Sequence, residues 1–263
     1  MDFVARKIRI ISRLIALLSV FAFAGIEFVV RRGSRWSHAR RAQWLHEWSR
    51  VLLRRIGFSV RMLGVPPVSG FLAPNHLGYM DVPVIAALCP MVFLSKSEVE
   101  KWPVVGWFVK MAGTLFIDRN RRSDVANKRD AFERVMDDGV GLTIFLEGKS
   151  SNGEAVLPFH SSLLQPAIDH GWEVTPAYIS YDAVGGDAAN EVCWWGDAPF
   201  AGHLIGMLGL ESVRASVVFG EQRQPLADRK QLADELKGDV LELRKGESNR
   251  GYRGQQQQVF TVV

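Results

Sequence analysis

A histidine and a carboxylate five positions apart, His76 and Asp81, are the residues of this chain best suited to move a proton. They stand in Asn75-His76-Leu77-Gly78-Tyr79-Met80-Asp81, directly after the short apolar run Gly70-Phe71-Leu72-Ala73. Pro74 and Asn75 break that run and an apolar helical segment starts at Val82. The histidine is therefore expected on a strand-to-helix turn. Asp81 falls near the helix start, where an acid is favoured as a cap and by the helix dipole. A turn can fold the carboxylate back onto the imidazole. One ring nitrogen then removes a proton while the other is held, the minimum apparatus for general-base catalysis. The bland alternative is an exposed turn histidine beside a capping aspartate, and spacing by itself does not separate the two. A metal site is not indicated, because no second His/Cys cluster has ligand spacing.

Order along the chain adds what spacing lacks. Downstream come Gly113-Thr114-Leu115-Phe116-Ile117-Asp118-Arg119, then Phe145-Leu146-Glu147-Gly148-Lys149-Ser150-Ser151, then Val174-Thr175-Pro176-Ala177-Tyr178-Ile179. With the first segment they resemble the four sequence blocks of the glycerolipid acyltransferases, the family that includes 1-acylglycerol-3-phosphate acyltransferase. The first matches its Asn-His-x-x-x-x-Asp pattern. The others resemble Gly-x-x-Phe-Ile-x-Arg, Phe-Pro-Glu-Gly-Thr-Arg-Ser and Val-x-Pro-x-x-Ile. The resemblance covers residues 58 to 220, and four blocks in the right order are a far more specific signal than any one of them.

The resemblance implies attack by an acceptor hydroxyl on an acyl thioester. An alcohol needs a base at neutral pH, and His76 is the candidate, with Asp81 holding its tautomer as the carboxylate does in a Ser-His-Asp triad. The substrate hydroxyl stands where the serine would, and no Gly-x-Ser-x-Gly elbow is present. Backbone amides after Glu147-Gly148 are candidates for stabilising the oxyanion, with Gly148 allowing close backbone approach or simply making a turn. By resemblance the third block contributes to acceptor binding, with Glu147 its most characteristic residue. Arg119 sits where the family binds the acceptor phosphate, as an arginine fork can. Arg121 and Arg122 read equally well as a solvated loop. Pro176 is expected to end or bend a strand and carries no chemistry. Met80, Trp102, Trp107 and Phe108 are candidates for an acyl channel, although apolar core is the commoner use of such residues.

The chain departs from the pattern at two places. Leu146 replaces the family proline, and Lys149-Ser150 replaces its Thr-Arg pair, so the fork is lost and Lys149 offers only a point charge from the neighbouring position. Glu-Gly-Lys-Ser-Ser-Asn-Gly followed by Val156-Leu157-Pro158-Phe159-His160-Ser161-Ser162 is similar to the lyso-ornithine lipid acyltransferase branch, as are Trp195-Gly196-Asp197 and His203-Leu204. The acceptor of that branch bears a zwitterionic amino-acid headgroup.

Charge is distributed unevenly around these blocks. Residues 1 to 61 hold 13 Lys/Arg against 3 Asp/Glu, and the remainder holds 19 against 25, within 263 residues of net charge +4. The basic residues bracket the apolar run Leu14 to Val30, which points to anionic lipid rather than nucleic acid. That run of 17 residues gives only about 25 Å of helix against a bilayer core of about 30 Å. Cations on both sides set no clear orientation, so a span, a shallow hairpin and an interfacial anchor all remain open. Ala22-Phe23-Ala24 resembles a signal-peptide cleavage site, but Phe28-Val29-Val30 prolongs the apolar segment past it. A second helix over Trp36 to Ile56 places Trp44, Leu45, Trp48, Val51, Leu52 and Ile56 on one stripe. The stripe suits either the headgroup zone or packing on a domain, and the adjacent apolar run favours the membrane. The two cysteines, Cys89 and Cys193, form no framework and are expected as buried thiols in a reducing compartment.

From Phe58 strand-like and helical runs alternate, which predicts an α/β domain: a mixed sheet flanked by helices, preceded by a membrane-associated helical segment. The expected division is 1–57 anchor, 58–245 acyltransferase domain and 246–263 flexible tail. The reading is an O-acyltransferase moving a fatty acyl chain from acyl-CoA or acyl carrier protein to the free hydroxyl of a lysolipid. The first acceptor is 1-acylglycerol-3-phosphate, giving phosphatidic acid, and lyso-ornithine lipid is the second. No cofactor beyond the co-substrate and no nucleic-acid partner are expected. The place is the inner, cytoplasmic membrane with the site facing the cytosol. The rival from another class is a non-catalytic protein binding anionic membrane, which has no need of both His76 and Asp81.

Overall fold

The structure is a computed structural model that describes residues 3–102, 104–117, 129–251 and 260–261. Its centre is one mixed sheet of eight strands: β1 (Phe58–Leu63), β2 (Phe71–Pro74), β3 (Met91–Lys96), β4 (Leu115–Ile117), β5 (Gly141–Thr143), β6 (Val174–Val184), β7 (Ser212–Phe219) and β8 (Phe260–Thr261). Their spatial order is β4-β3-β5-β2-β6-β7-β1-β8. The first five of that order run parallel. Strand β7 reverses against β6, β1 runs with β7, and β8 pairs antiparallel with β1. The four blocks therefore share one edge. The first follows β2, the third follows β5, the described part of the second ends with β4, and the fourth opens β6. Carboxyl ends of parallel strands are where open α/β sheets place their ligands.

Burial on both faces explains why the parallel strands read as continuous apolar runs. Along β2, Leu72 packs into one core while Phe71 and Ala73 pack into the other. The first core is covered by α1 (Phe3–Val30), α2 (His38–Ile56), α3 (Asp81–Leu88), α4 (Val105–Met111) and the segment carrying α7 (Ala188–Glu191) and α8 (Phe200–Leu208). The second lies under α5 (Arg129–Asp137), α6 (Gln165–His170) and α9 (Arg229–Gly251). Helix α9 passes the expected boundary at 245. Strand β6 runs through Pro176 instead of ending there. Pro176 still accepts the Gly220 N–H through its carbonyl, so the ladder to β7 continues past the missing donor.

The N-terminal quarter is part of this core rather than a unit beside it. Helix α2 starts at Ser37, whose hydroxyl accepts the Arg40 N–H, and ends at Gly57 in a left-handed conformation. Trp44, Leu53 and Ile56 are buried in the same cluster as Val84, Ile85 and Met91. The stripe expected to meet lipid on α2 thus largely packs on the domain, because α3 and the sheet offer it apolar surface. Helix α1 has 28 residues, about 42 Å of length. It is the one described helix long and apolar enough to cross a membrane. Glu27, the acid in its apolar run, accepts the Trp48 indole N–H at 2.7 Å and pairs with Arg31 at 3.3 Å.

The basic residues of α1 are largely spent on the protein. Arg6 pairs with Glu191, and Arg9 donates to Gly209 O. Arg13 donates to the carbonyls of Leu208, Leu210 and Glu211. The last carbonyls of a helix lack intrahelical partners and carry its negative dipole end, so the end of α8 attracts cations. Val4, Ile8, Ile11, Ile15, Leu18, Ile26 and Val29 remain exposed along α1. With exposed Ala22 between Leu18 and Ile26, steps of three and four residues make one continuous apolar stripe on its outer face.

Candidate active site

Asn75 creates the turn that carries His76. Its side chain accepts the Ile179 N–H at 2.7 Å and donates to Ile179 O at 3.0 Å. A side chain thereby stands in for the next rung of the β2–β6 ladder, and the backbone is free to leave the sheet at His76. The turn is then held on every side. The His76 carbonyl accepts the Ser151 N–H at 3.0 Å, and the Leu77 carbonyl accepts the Trp194 N–H at 2.8 Å. A side chain at Gly78 would meet the Trp194 nitrogen at 2.9 Å, so only glycine admits that contact.

Asp81 opens α3 and is fully buried. Its Oδ2 accepts the His76 Nδ1–H at 2.7 Å, the Leu77 N–H at 2.6 Å and the Gly78 N–H at 3.0 Å. Its Oδ1 accepts the Tyr181 hydroxyl at 2.7 Å. A carboxylate can only accept here, so Nδ1 carries the imidazole proton and Nε2 keeps its lone pair. The ring stacks on Phe145 at 4.1 Å between centroids. The spacing argument is realised in this geometry: the pair lies on the turn as expected, and it also binds the turn's own amides.

His76 opens onto a cavity of about 1160 Å³, larger than the roughly 300–1000 Å³ of ordinary small-ligand sites. Its apolar wall includes Leu14 and Phe21 of α1, Leu52 of α2 and Phe108 of α4, and its polar rim includes Lys149 and Ser150. The N-terminal helices thus build the cavity rather than only tether the chain. Of the four candidates for an acyl channel, Met80, Trp102 and Phe108 line it, while Trp107 lies on the surface.

The third block divides in two. Gly148, Lys149 and Ser150 line the cavity. Glu147 lies behind that wall, 2% exposed, and its Oε1 accepts the His76 N–H at 3.4 Å. Its expected place beside the acceptor gives way to one as a clamp on the histidine's backbone, because the turn at Gly148, φ +74°, carries the chain past Glu147 before it meets the cavity. Burial, aided by the Asp81 charge, pushes the Glu147 carboxyl up to about 7, against the His76 and Leu157 N–H bonds and the charge of Lys237. The Gly148 N–H closes the turn on Phe145 O, and Ser151 N–H is bonded to His76 O. Lys149 and Ser150 lie between these two bonds and line the cavity. The Ser150 hydroxyl donates to Trp194 O. Arg119, the candidate phosphate ligand, lies outside the described residues, although β4 delivers the chain to the same sheet edge.

Sequence reasoning missed Tyr181 and the Tyr79–His203 pair, in which the hydroxyl and Nδ1 lie 2.9 Å apart while His203 Nε2 donates to Cys193 O. Burial lowers the His203 pKa, against the Cys193 hydrogen bond and the Glu191 charge, and raises that of Tyr79. The alternation Ala177, Ile179, Tyr181 on the buried face of β6 was the available signal for Tyr181. Among the described residues no group of three or more His, Cys, Asp or Glu side chains is placed to hold a metal ion.

A family model described as acyltransferase matches residues 65–180. The chain is 39% identical over 176 residues to the lyso-ornithine lipid O-acyltransferase of Pseudomonas aeruginosa, covering 65% of each chain, just under two thirds of that relative. It is 30% identical over 251 residues to the lyso-ornithine lipid O-acyltransferase of Brucella abortus, covering 89% of this chain and 92% of that one. Against the 1-acyl-sn-glycerol-3-phosphate acyltransferase of Neisseria gonorrhoeae it is 35% identical over 115 residues, 44% of this chain and 45% of the relative. The crystal structure of the 1-acyl-sn-glycerophosphate acyltransferase PlsC from Thermotoga maritima shares the fold, with a TM-score of 0.59 at 20% identity over 91% of this chain and 98% of that one.

Proposed function

The chain belongs to the acyltransferase family, and from that premise we propose that it moves a fatty acyl chain from a thioester, acyl-CoA or acyl carrier protein, to the free hydroxyl of a lysolipid. The observation that carries the reading is the His76–Asp81 pair at the polar end of a large apolar cavity. The acyl chain lies along the apolar wall, and the thioester carbonyl meets the acceptor hydroxyl at His76. Nε2 takes the hydroxyl proton as the oxygen attacks, and Asp81 stabilises the imidazolium that forms. The Lys149 and Ser150 amides face the developing oxyanion. Collapse expels the thiolate, which takes the proton back from His76, leaving the ester, the free thiol and the neutral base. The step needs no cofactor beyond the acyl donor.

For the acceptor we favour lyso-ornithine lipid, the second choice of the sequence reading. Where the family pattern has an arginine stands Ser150, whose hydroxyl is occupied by Trp194 O. That position offers no fork to a phosphate monoester, and Lys149 supplies one cation at the rim. The full-length likeness to the Brucella protein agrees with this choice. The reading with 1-acylglycerol-3-phosphate rests on the family resemblance at Arg119, which lies outside the described residues. Competition between the two lysolipids at equal concentration, with labelled acyl-CoA and acyl carrier protein in turn, decides between them. Preference for the phosphate acceptor overturns the headgroup assignment, and transfer to neither overturns the reaction.

The exposed stripe of α1 fits a helix lying in one leaflet rather than crossing it, because the opposite face is packed along the domain. Such a pose brings the cavity to the lipid from the cytoplasmic side, where acyl donors are made.

A further inference from the structure

We propose that Tyr181 is a positioning residue for the dyad, acting through the second oxygen of Asp81 and outside all four sequence blocks. The proposal rests on the acyl-transfer reading of the site. Three donors crowd Asp81 Oδ2, and Oδ1 has one partner among the described contacts, the Tyr181 hydroxyl at 2.7 Å. Asp81 is fully buried and Tyr181 is 9% exposed. Without that hydroxyl, Oδ1 becomes an unpaired acceptor in a water-poor interior, and the carboxylate is free to turn about its Cβ–Cγ bond. With it, the carboxylate plane is fixed and Oδ2 stays aimed at His76 Nδ1.

The fold supplies the tyrosine as deliberately as the aspartate. Asn75 pins Ile179 from both sides of its peptide unit. Tyr181 is the next residue on the same face of β6, packed edge-to-face on Phe58 with centroids 6.4 Å apart. The loop that carries the base is therefore tied to the strand that carries the tyrosine. Burial and the neighbouring Asp81 charge hold the phenol well above its usual pKa, so it remains a donor across the working range. Tyr181 does not line the cavity, and its action passes through Asp81 alone.

A double-mutant cycle on the full chain in lipid vesicles tests this. Tyr181→Phe is expected to lower kcat roughly tenfold, the low end for a hydrogen bond to a charged group, with KM for lysolipid and acyl donor unchanged. In an Asp81→Ala background the same substitution is expected to leave the residual rate unchanged, because the hydroxyl then has no carboxylate to hold. A general packing role would lower both backgrounds alike. Equal losses in the two backgrounds, a loss expressed in KM, or wild-type kcat in Tyr181→Phe overturns the proposal while the acyl-transfer reading stands. A wild-type chain that acylates no lysolipid overturns that reading and the proposal with it.

Discussion

Replacing Glu147 by glutamine separates a clamp from a substrate ligand and carries a calculable pH signature. The carboxyl is 2% exposed, Oε2 has no hydrogen-bond partner, and burial lifts its pKa from 4.5 to about 7. At about 1.4 kcal/mol per pH unit, that shift is worth roughly 3 kcal/mol. The folded chain holds this proton more tightly than the unfolded chain. Between pH 4.5 and 7 the folded state therefore binds more protons, and stability falls as pH rises through the window. The contribution is intact below 4.5 and lost above 7. Glutamine has no proton to lose and keeps a carbonyl oxygen for the His76 N–H. In urea unfolding of both proteins in detergent, the stability of Glu147→Gln relative to wild type is expected to rise by roughly 3 kcal/mol from pH 4.5 to 8 and then level off. Titrations common to both chains cancel in that difference. If Glu147 only clamps, Glu147→Gln also keeps turnover within a few-fold, while Glu147→Ala frees the His76 backbone and loses roughly 10². A stability difference that stays flat over the window refutes the burial account, and a glutamine variant as inactive as the alanine returns Glu147 to the acceptor.

Loss of the base is the plainest test of the chemistry. His76→Ala is expected to remove acyl transfer while thermal melts and vesicle binding stay unchanged, and near-normal turnover sinks the mechanism. Asp81→Asn should lower kcat by roughly 10² or more through loss of tautomer and charge support, read in single-turnover assays. A rate within a few-fold of wild type removes Asp81 from the dyad. Replacing Ile8, Ile11 and Ile15 by serine should weaken binding to anionic vesicles in co-sedimentation, with high salt weakening wild type only in part because apolar insertion is not screened. Equal binding by the two chains means the stripe does not meet lipid. Arg13→Ala removes three hydrogen bonds, to Leu208 at the end of α8 and to Leu210 and Glu211 on the way to β7, and should cost about 1–3 kcal/mol in thermal unfolding; an unchanged melting temperature refutes the tie.

Local chemistry was the part of this molecule legible in its residues. Pro74-Asn75 and the apolar run after Met80 placed His76 and Asp81 on a turn and a helix start, and the structure brings them to 2.7 Å. The third block was legible as a loop beside the site but not in its handedness. Nothing in Glu147-Gly148-Lys149-Ser150 says which side chain faces the cavity until the turn at Gly148 is seen. Strand β7 was readable as a strand, yet its reversal against β6 depends on the route of the chain through α7 and α8. Helix α8 was missed because Phe200–Leu208 is nearly all apolar and lacks a polar face to mark its period.

At the N-terminus, composition and pattern point to different parts of α1. Basic residues around an apolar run suggest lipid, but charge cannot report which partner it meets. Three of those arginines have domain partners, two of them on backbone carbonyls at the end of α8. Apolar surface is instead left exposed from Val4 to Val29, on the side of α1 opposite the buried Leu17, Val20 and Ala24. Helix α1 thus has two apolar faces, one packed on the domain and one exposed, and three of its arginines bond to the domain. The same helix contributes Leu14 and Phe21 to the cavity wall. A rotation of α1 would therefore move the apolar wall and the exposed stripe together, which makes Arg13 as relevant to acyl-chain binding as to membrane contact.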